Sequence, residues 1–256
     1  MDSARRRTIS VLIPAYNEAL NLQGSVEDAL AACTDFEDYE ILIVNDGSTD
    51  NTGELAEQLA AQLNHVRVIH HPRNRGFGAA YSTALAEARM SYYTFVPGDH
   101  EVAPESVKAI FGAVGKADMV VPFHATPWKR PFLRRALTRI STDQVNLLFG
   151  WNLKYYQGPV VYPTELARAL PRTVQGFYFA TEMLVHALDA GYSYVEIGLT
   201  HQERSYGRSK AVAVSNATSA QWIILKLWWD IRVRRRNDVP RAIRSEPTGA
   251  LEGANL

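Results

Sequence analysis

Asp99 and Glu101 stand two residues apart in the segment Thr94-Phe95-Val96-Pro97-Gly98-Asp99-His100-Glu101, at the close of an apolar run. Two carboxylates at i and i+2, on a chain that bends straight after a strand, can face one hard cation such as Mg2+ or Mn2+. Two are too few for a closed protein cage. They suit a cation whose shell is completed by water and by the phosphates of a substrate, as when a nucleoside diphosphate is bound. From these eight residues alone, an acidic turn with solvated charges is the competing reading.

The elements that must position this turn favour the site. Residues 9–14 form a short apolar run closed by Pro14, and the chain beyond it predicts a helical stretch with Asn17 as its cap. Residues 39–44 read as a second strand, and residues 45–50 as a turn into a helix around 52–63. A third strand at 66–69 and a fourth at 92–96 enclose a helix at about 77–89, and beyond them residues 118–122 read as another strand, 132–149 as an amphipathic helix, 155–162 as an aromatic strand segment and 180–190 as a helix with Glu182 at its start. Strand and helix in alternation predict an α/β fold, with right-handed crossovers, a mostly parallel sheet and helices on both faces. Ligands of such sheets collect at the carboxyl ends of the strands. Asn17, Glu18, Asp46, Asp50, Asp99 and Glu101 all fall at those ends.

Four segments in matching order and spacing then carry a family likeness: residues 13–18 (Ile-Pro-Ala-Tyr-Asn-Glu), residues 44–50 (Val-Asn-Asp-Gly-Ser-Thr-Asp), the glycine loop at 74–80, and the Asp99 turn. They resemble the family 2 glycosyltransferases and, within them, the polyprenyl-phosphate (dolichol-phosphate) mannose and glucose synthases. Residues 176–183 and 204–210 extend the resemblance, which covers residues 8–215. It implies a GT-A nucleotide-diphospho-sugar transferase fold and the inverting, metal-dependent transfer of a hexose from a GDP-mannose or UDP-glucose type donor to a polyprenyl phosphate. It also implies roles. Pro14, Tyr16 and Glu18 would line the nucleotide pocket with Gly76 and Gly78, and Asp46 would accept a hydrogen bond from the base. Asp99 would bind Mg2+ or Mn2+, Glu101 would occupy the third ligand position, often Gln in these synthases, and Glu182 would be a site carboxylate. Pro97 stands where the family's first metal-motif aspartate lies, which leaves two protein ligands instead of three. Asn45 replaces a common Asp, a milder departure.

Elementary chemistry agrees. A leaving diphosphate needs a cation or Arg and Lys side chains where charge grows in an oxocarbenium-like transition state. An acceptor phosphate is already anionic at neutral pH, so no general base is required. Direct attack inverts the anomeric centre, and spacing singles out no carboxylate nucleophile for a retaining route.

At 256 residues the chain fits one domain with extensions. Its formal net charge of zero argues against a general nucleic-acid binder. Residues 128–139 nevertheless hold five basic side chains and no acid, and residues 232–236 hold four more. Solvated helix faces would account for both runs, but beside a two-phosphate site Arg130, Arg134 and Arg135 become candidates for phosphate contacts. Arg204 and Lys210 flank Gly207 just ahead of an amphipathic segment and are candidates for the acceptor's phosphate. Cys33, the one cysteine, reads as a reduced structural thiol. The histidines lack ligand spacing, and the Gly76/Gly78 loop lacks the third glycine and the downstream acid of a dinucleotide fingerprint.

No signal peptide is visible at the polar, basic N-terminus. Residues 220–233 hold three tryptophans, but Lys226 and Asp230 interrupt the run, which is too short to span a bilayer core of roughly 30 Å. A helix lying in the headgroup region fits this pattern, with a core helix or a dimer contact as the alternative. The expected organisation is an extension at 1–7, the transferase domain at 8–215, an amphipathic helix at 216–236 and a disordered tail at 237–256. The expected setting is the cytoplasmic face of a membrane, with a nucleotide sugar and a polyprenyl phosphate as partners and a membrane subunit or second copy as further candidates. Two other functions remain open at this point: transfer to a glycan or another lipid, and non-catalytic binding of a sugar nucleotide, the latter motivated by Pro97.

Overall fold

The computed structural model describes residues 6–126, 132–173, 176, 178–202, 215–234 and 236–242. Strands β1 (Thr8–Ala15) and β2 (Asp38–Asn45) run parallel in register over their full length, from Thr8 opposite Asp38 to Ala15 opposite Asn45. Both are apolar on both faces, as strands between two helical layers must be. Ile9, Val11, Ile13, Ile41 and Ile43 pack into the core under α1 (Leu22–Ala32), α2 (Thr52–Gln62) and α4 (Pro104–Gly112). Leu12, Leu42 and Val44 enter the opposite core, with α3 (Phe77–Glu87), α5 (Phe132–Phe149), α6 (Thr164–Ala169), α7 (Tyr178–Asp189) and α8 (Ser215–Trp228).

The remaining strands are β3 (Val66–His70), β4 (Tyr92–Phe95), β5 (Met119–His124), β6 (Tyr162–Pro163) and β7 (Tyr194–Leu199). Five of the seven form a sheet in the order β3-β2-β1-β4-β6, in which β6 alone is antiparallel. The parallel pair β5-β7 attaches to it through an antiparallel bridge between Val120 and Val161. The mostly parallel α/β sheet expected from the sequence is therefore present, with the carboxyl ends of β1, β2 and β4 together at one edge.

Three expectations need correction. Asn17 does not cap a helix: it sits at φ 54° in a turn, and α1 begins at Leu22, where the Glu18 carbonyl accepts from the N–H groups of Asn21 and Leu22. Residues 155–161 form a buried loop, and only Tyr162 and Pro163 pair as a strand. Residues 236–242 are packed against the domain, although the sequence suggested a disordered tail from residue 237. Asn237 donates to Asp189 Oδ2 at 2.8 Å, Val239 is buried and the Ala242 N–H donates to the Ala190 carbonyl.

Cys33 is buried, and burial pushes its thiol up to about 12, in keeping with a structural role. Ile224, Leu227 and Ile231 bury the inner face of α8 and of the π-helical turn Trp229–Val233 that continues it. Trp222 and Trp229 stay 69% and 49% exposed on the outer side. Leu147, on the neighbouring α5, is 85% exposed. No helix among the described residues is long and apolar enough to cross a membrane.

Candidate active site at the strand ends

The loops that leave β1 and β2 are knitted to each other. The Asn17 N–H donates to Ser48 Oγ at 3.0 Å, the Thr49 N–H to Asn17 Oδ1 at 2.8 Å, and the Glu18 N–H to Thr52 Oγ1 at 2.9 Å. Glu18 accepts from Asn21 Nδ2 at 2.8 Å, which fixes its carboxylate beside the start of α1. Burial pushes the Asp50 carboxyl up, but hydrogen bonds from Thr52 and Ala19 outweigh that and hold it below the usual carboxylate range. Pro14 and Tyr16 are half-buried at this edge.

Asp46 lies just past β2 and is only 4% exposed. Its Oδ1 accepts from the Arg75 N–H at 2.9 Å and lies 2.6 Å from His71 Nδ1, while its Oδ2 accepts from the Gly76 N–H at 2.7 Å. The carboxylate thus clamps the glycine loop to the end of β2. Gly76 serves that loop at φ 84° as the residue ahead of α3, and Gly78 lies on the first turn of that helix against Phe179. His71, which sequence reasoning passed over, completes the clamp: its Nε2 lies 3.0 Å from Thr83 Oγ1 on α3. Gly47 has no room for a side chain, because a Cβ there would run into the backbone of Arg73 and Asn74.

Asp99 and Glu101 are both half-buried in the turn after β4, with the Glu101 N–H donating to Asp99 Oδ1 at 3.3 Å. Gly98 lets the turn approach β1, since a Cβ there would strike the Pro14 carbonyl oxygen. Among the described residues no group of three His, Cys, Asp or Glu side chains gathers as a metal cage. The donor chemistry of the turn is that of two hard carboxylates with an incomplete shell, which fits Mg2+ or Mn2+ shared with phosphate oxygens and water.

Glu182 stands in the second turn of α7, not at a helix start, and is 4% exposed. It accepts from the Thr173 N–H at 2.8 Å and from the Thr173 hydroxyl, and so ties the chain ahead of α7 to that helix. Beside it, Thr181 joins Thr138, Ser141, Thr142, Val145, Tyr155, Tyr156, Gln157 and Ile224 in lining a small, mostly apolar cavity between α5, α7 and α8. Arg135 lies on the first turn of α5 over the Phe132 ring. Arg130, Arg204 and Lys210 lie outside the described residues, as does the side chain of Arg134. The structure therefore brings the nucleotide-side candidates and the Asp99 turn to one sheet edge, and the Glu182 carboxylate accepts from Thr173.

The family described as Glycosyl transferase family 2 matches residues 10–170. Polyprenol monophosphomannose synthase of Mycolicibacterium smegmatis is 31% identical over 244 residues, taking in 90% of this chain and 89% of that protein. Undecaprenyl-phosphate mannosyltransferase of Micrococcus luteus is 26% identical over 246 residues, with 88% and 98% covered. Among solved structures, glucosyl-3-phosphoglycerate synthase from Mycobacterium tuberculosis, in complex with Mn2+, UDP and phosphoglyceric acid, superposes with a TM-score of 0.62. At 18% identity, over 91% of this chain and 80% of that one, the likeness shows the GT-A type fold.

Proposed function

The chain belongs to glycosyl transferase family 2, and we propose that it transfers a hexose from a nucleotide diphosphate sugar to a polyprenyl phosphate with inversion. The observation that carries this reading is the 31% identity to a polyprenol monophosphomannose synthase along nearly the whole of both chains. In the proposed reaction an acceptor phosphate oxygen attacks the anomeric carbon, and the bond from that carbon to the donor's diphosphate breaks. The nucleoside diphosphate leaves with the electron pair. Asp99 and Glu101 are the residues that would hold Mg2+ or Mn2+, which supplies charge stabilisation for the departing diphosphate. Pro14, Tyr16, Glu18 and the loop clamped by Asp46 form the donor side, with Arg135 at the start of α5 as a phosphate candidate.

Turnover of radiolabelled GDP-mannose and UDP-glucose, with and without polyprenyl phosphate, tests the reading. Label extracted with lipid only when polyprenyl phosphate is present is the expected result. The names of both relatives specify mannose, so GDP-mannose is the donor expected to react. Transfer to a glycan instead, or binding of donor with no turnover, would replace the reading by one of its rivals.

Asp46→Ala should weaken donor binding by about 1.5–3 kcal/mol, because it removes a buried charged acceptor from the loop. Titration calorimetry with GDP and UDP measures this. Unchanged dissociation constants for both would leave Asp46 without a part in the nucleotide site.

The outer side of α8 supports placement at a membrane surface. Trp222, Leu225, Trp229 and Val233 are exposed along one side, and Arg234 and Arg236 follow. Trp222→Glu combined with Trp229→Glu should lower binding to anionic liposomes by about tenfold or more, as expected when two inserted aromatic groups are lost. Equal sedimentation of variant and wild type with liposomes would exclude this face.

A further inference from the structure

His100, between Asp99 and Glu101, is at φ 55°. A residue carrying a β-carbon rarely adopts this left-handed conformation unless its surroundings hold it there. Its ring lies in the space left by Gly24 on α1, where an added Cβ would stand 2.7 Å from ring Cε1 and 2.8 Å from Nδ1. One turn further along α1, Asp28 Oδ2 lies 2.8 Å from His100 Nε2, with both side chains largely shielded from solvent. Ser25 Oγ donates to the Pro97 carbonyl at 3.0 Å, so α1 holds the turn at its start as well as at its middle. From the opposite side, Gln202 Nε2 donates to the His100 carbonyl at 3.0 Å and the Gln202 N–H to the Glu101 carbonyl at 2.9 Å.

A two-carboxylate site depends on orientation more than a three-carboxylate one, since no third ligand corrects a misdirected oxygen. We propose that the His100–Asp28 pair, seated over Gly24, is a positioning lock that sets the directions of Asp99 and Glu101 toward a divalent cation and its diphosphate. It rests on the reading of those two carboxylates as cation ligands. His100 and Asp28 touch neither cation nor sugar in this scheme. They fix the turn on the first helix of the fold, and residues on either side of the inward-facing ring are left at the open edge of the sheet. The lock involves Gly24, Ser25 and Asp28, none of which has another part in the site.

Mn2+ binding to the full chain, measured by calorimetry in the presence of saturating GDP or UDP, tests the lock without relying on turnover. Asp28→Ala and Gly24→Ala should each raise the Mn2+ dissociation constant at least tenfold. Metal-free nucleotide binding should stay within threefold, and the unfolding midpoint should stay near that of the wild type. Asp28→Asn keeps an acceptor oxygen for the His100 Nε2–H and should restore most of the Mn2+ affinity. If it binds Mn2+ as poorly as Asp28→Ala, the effect is one of charge at a distance and the lock is overturned. His100→Gly removes the ring but is at home at a positive φ, so it carries the test should the α1 variants fold poorly. Wild-type Mn2+ affinity in His100→Gly would overturn the proposal. A wild-type chain that takes up no Mn2+ with either nucleotide would instead overturn the assignment of Asp99 and Glu101.

Discussion

Asp99→Asn should lower turnover by about 10²–10³-fold, the loss that follows when one preorganised electrostatic partner of a leaving group is removed. The substitution is nearly isosteric, and the amide oxygen can still accept from the Glu101 N–H that Asp99 Oδ1 now holds at 3.3 Å. The turn should therefore keep its shape, and the loss should come from charge. Pro97 supplies no carboxylate at the start of the turn, which leaves Asp99 as the principal anionic anchor. Glu101→Gln should cost much less, about tenfold, because an amide oxygen at this second position remains a hard donor. Initial rates across a Mn2+ titration separate the two variants. Undiminished activity of Asp99→Asn at low Mn2+ would sink the metal assignment.

The parts of this site that could be read in the sequence are those set by local pattern. β1 and β2 are buried on both faces, so they appear as mostly apolar runs, interrupted by Ser10 and Glu40, that end at Ala15 and Asn45. The helix at 132–149 was legible to the residue from its amphipathic spacing. What stayed hidden depends on long-range contact. Nothing near Asp46 shows that its carboxylate is spent on the backbone of Arg75 and Gly76, 29 and 30 residues away. His71 lacked any ligand-like spacing because its partners, Asp46 and Thr83, come from different elements. The aromatic stretch at 155–162 has strand composition, yet Gly158 brings its backbone so close to Pro122 that a Cβ would lie 2.8 Å from that carbonyl. Burial in a loop selects the same residue types as burial in a strand, so composition could not separate the two. Residue 237 looked like the start of a tail because its anchors, His186 and Asp189, belong to α7.

At the opposite end of the sheet, Glu40→Ala should destabilise the fold by about 3 kcal/mol, lowering the unfolding midpoint by roughly 6–12 °C. Glu40 is 5% exposed and holds together three parts of the chain. Its Oε1 accepts from Ser10 Oγ and from the Arg89 N–H, each at 2.7 Å, and its Oε2 accepts from Arg67 Nη2 at 2.7 Å. Ser10 Oγ in turn accepts from the Met90 N–H at 3.1 Å, so Glu40 and Ser10 together hold Arg89 and Met90 in the connection from α3 into β4, next to the Thr8 hydroxyl that accepts from the Ser91 N–H at 2.9 Å. Truncation removes the acceptor of the Ser10 hydroxyl, leaves the Arg89 N–H only its longer contact to Ser10 Oγ at 3.3 Å, and takes from Arg67 its closest carboxylate, although the Glu87 carbonyl still accepts from Arg67 Nη2 at 2.9 Å. Arg67 is 30% exposed, so water can recover part of its loss, which places the estimate at the lower end for a broken buried ion pair. Glu40→Gln keeps one acceptor oxygen for Ser10 and Arg89 and should cost about half as much. Nucleotide binding by either folded variant should match wild type, because the network lies at the amino ends of the strands while the ligands gather at the carboxyl ends. Chemical denaturation compares the three proteins. A Glu40→Ala variant within about 1 kcal/mol of wild type would mean that water, not Glu40, satisfies the Arg89 loop.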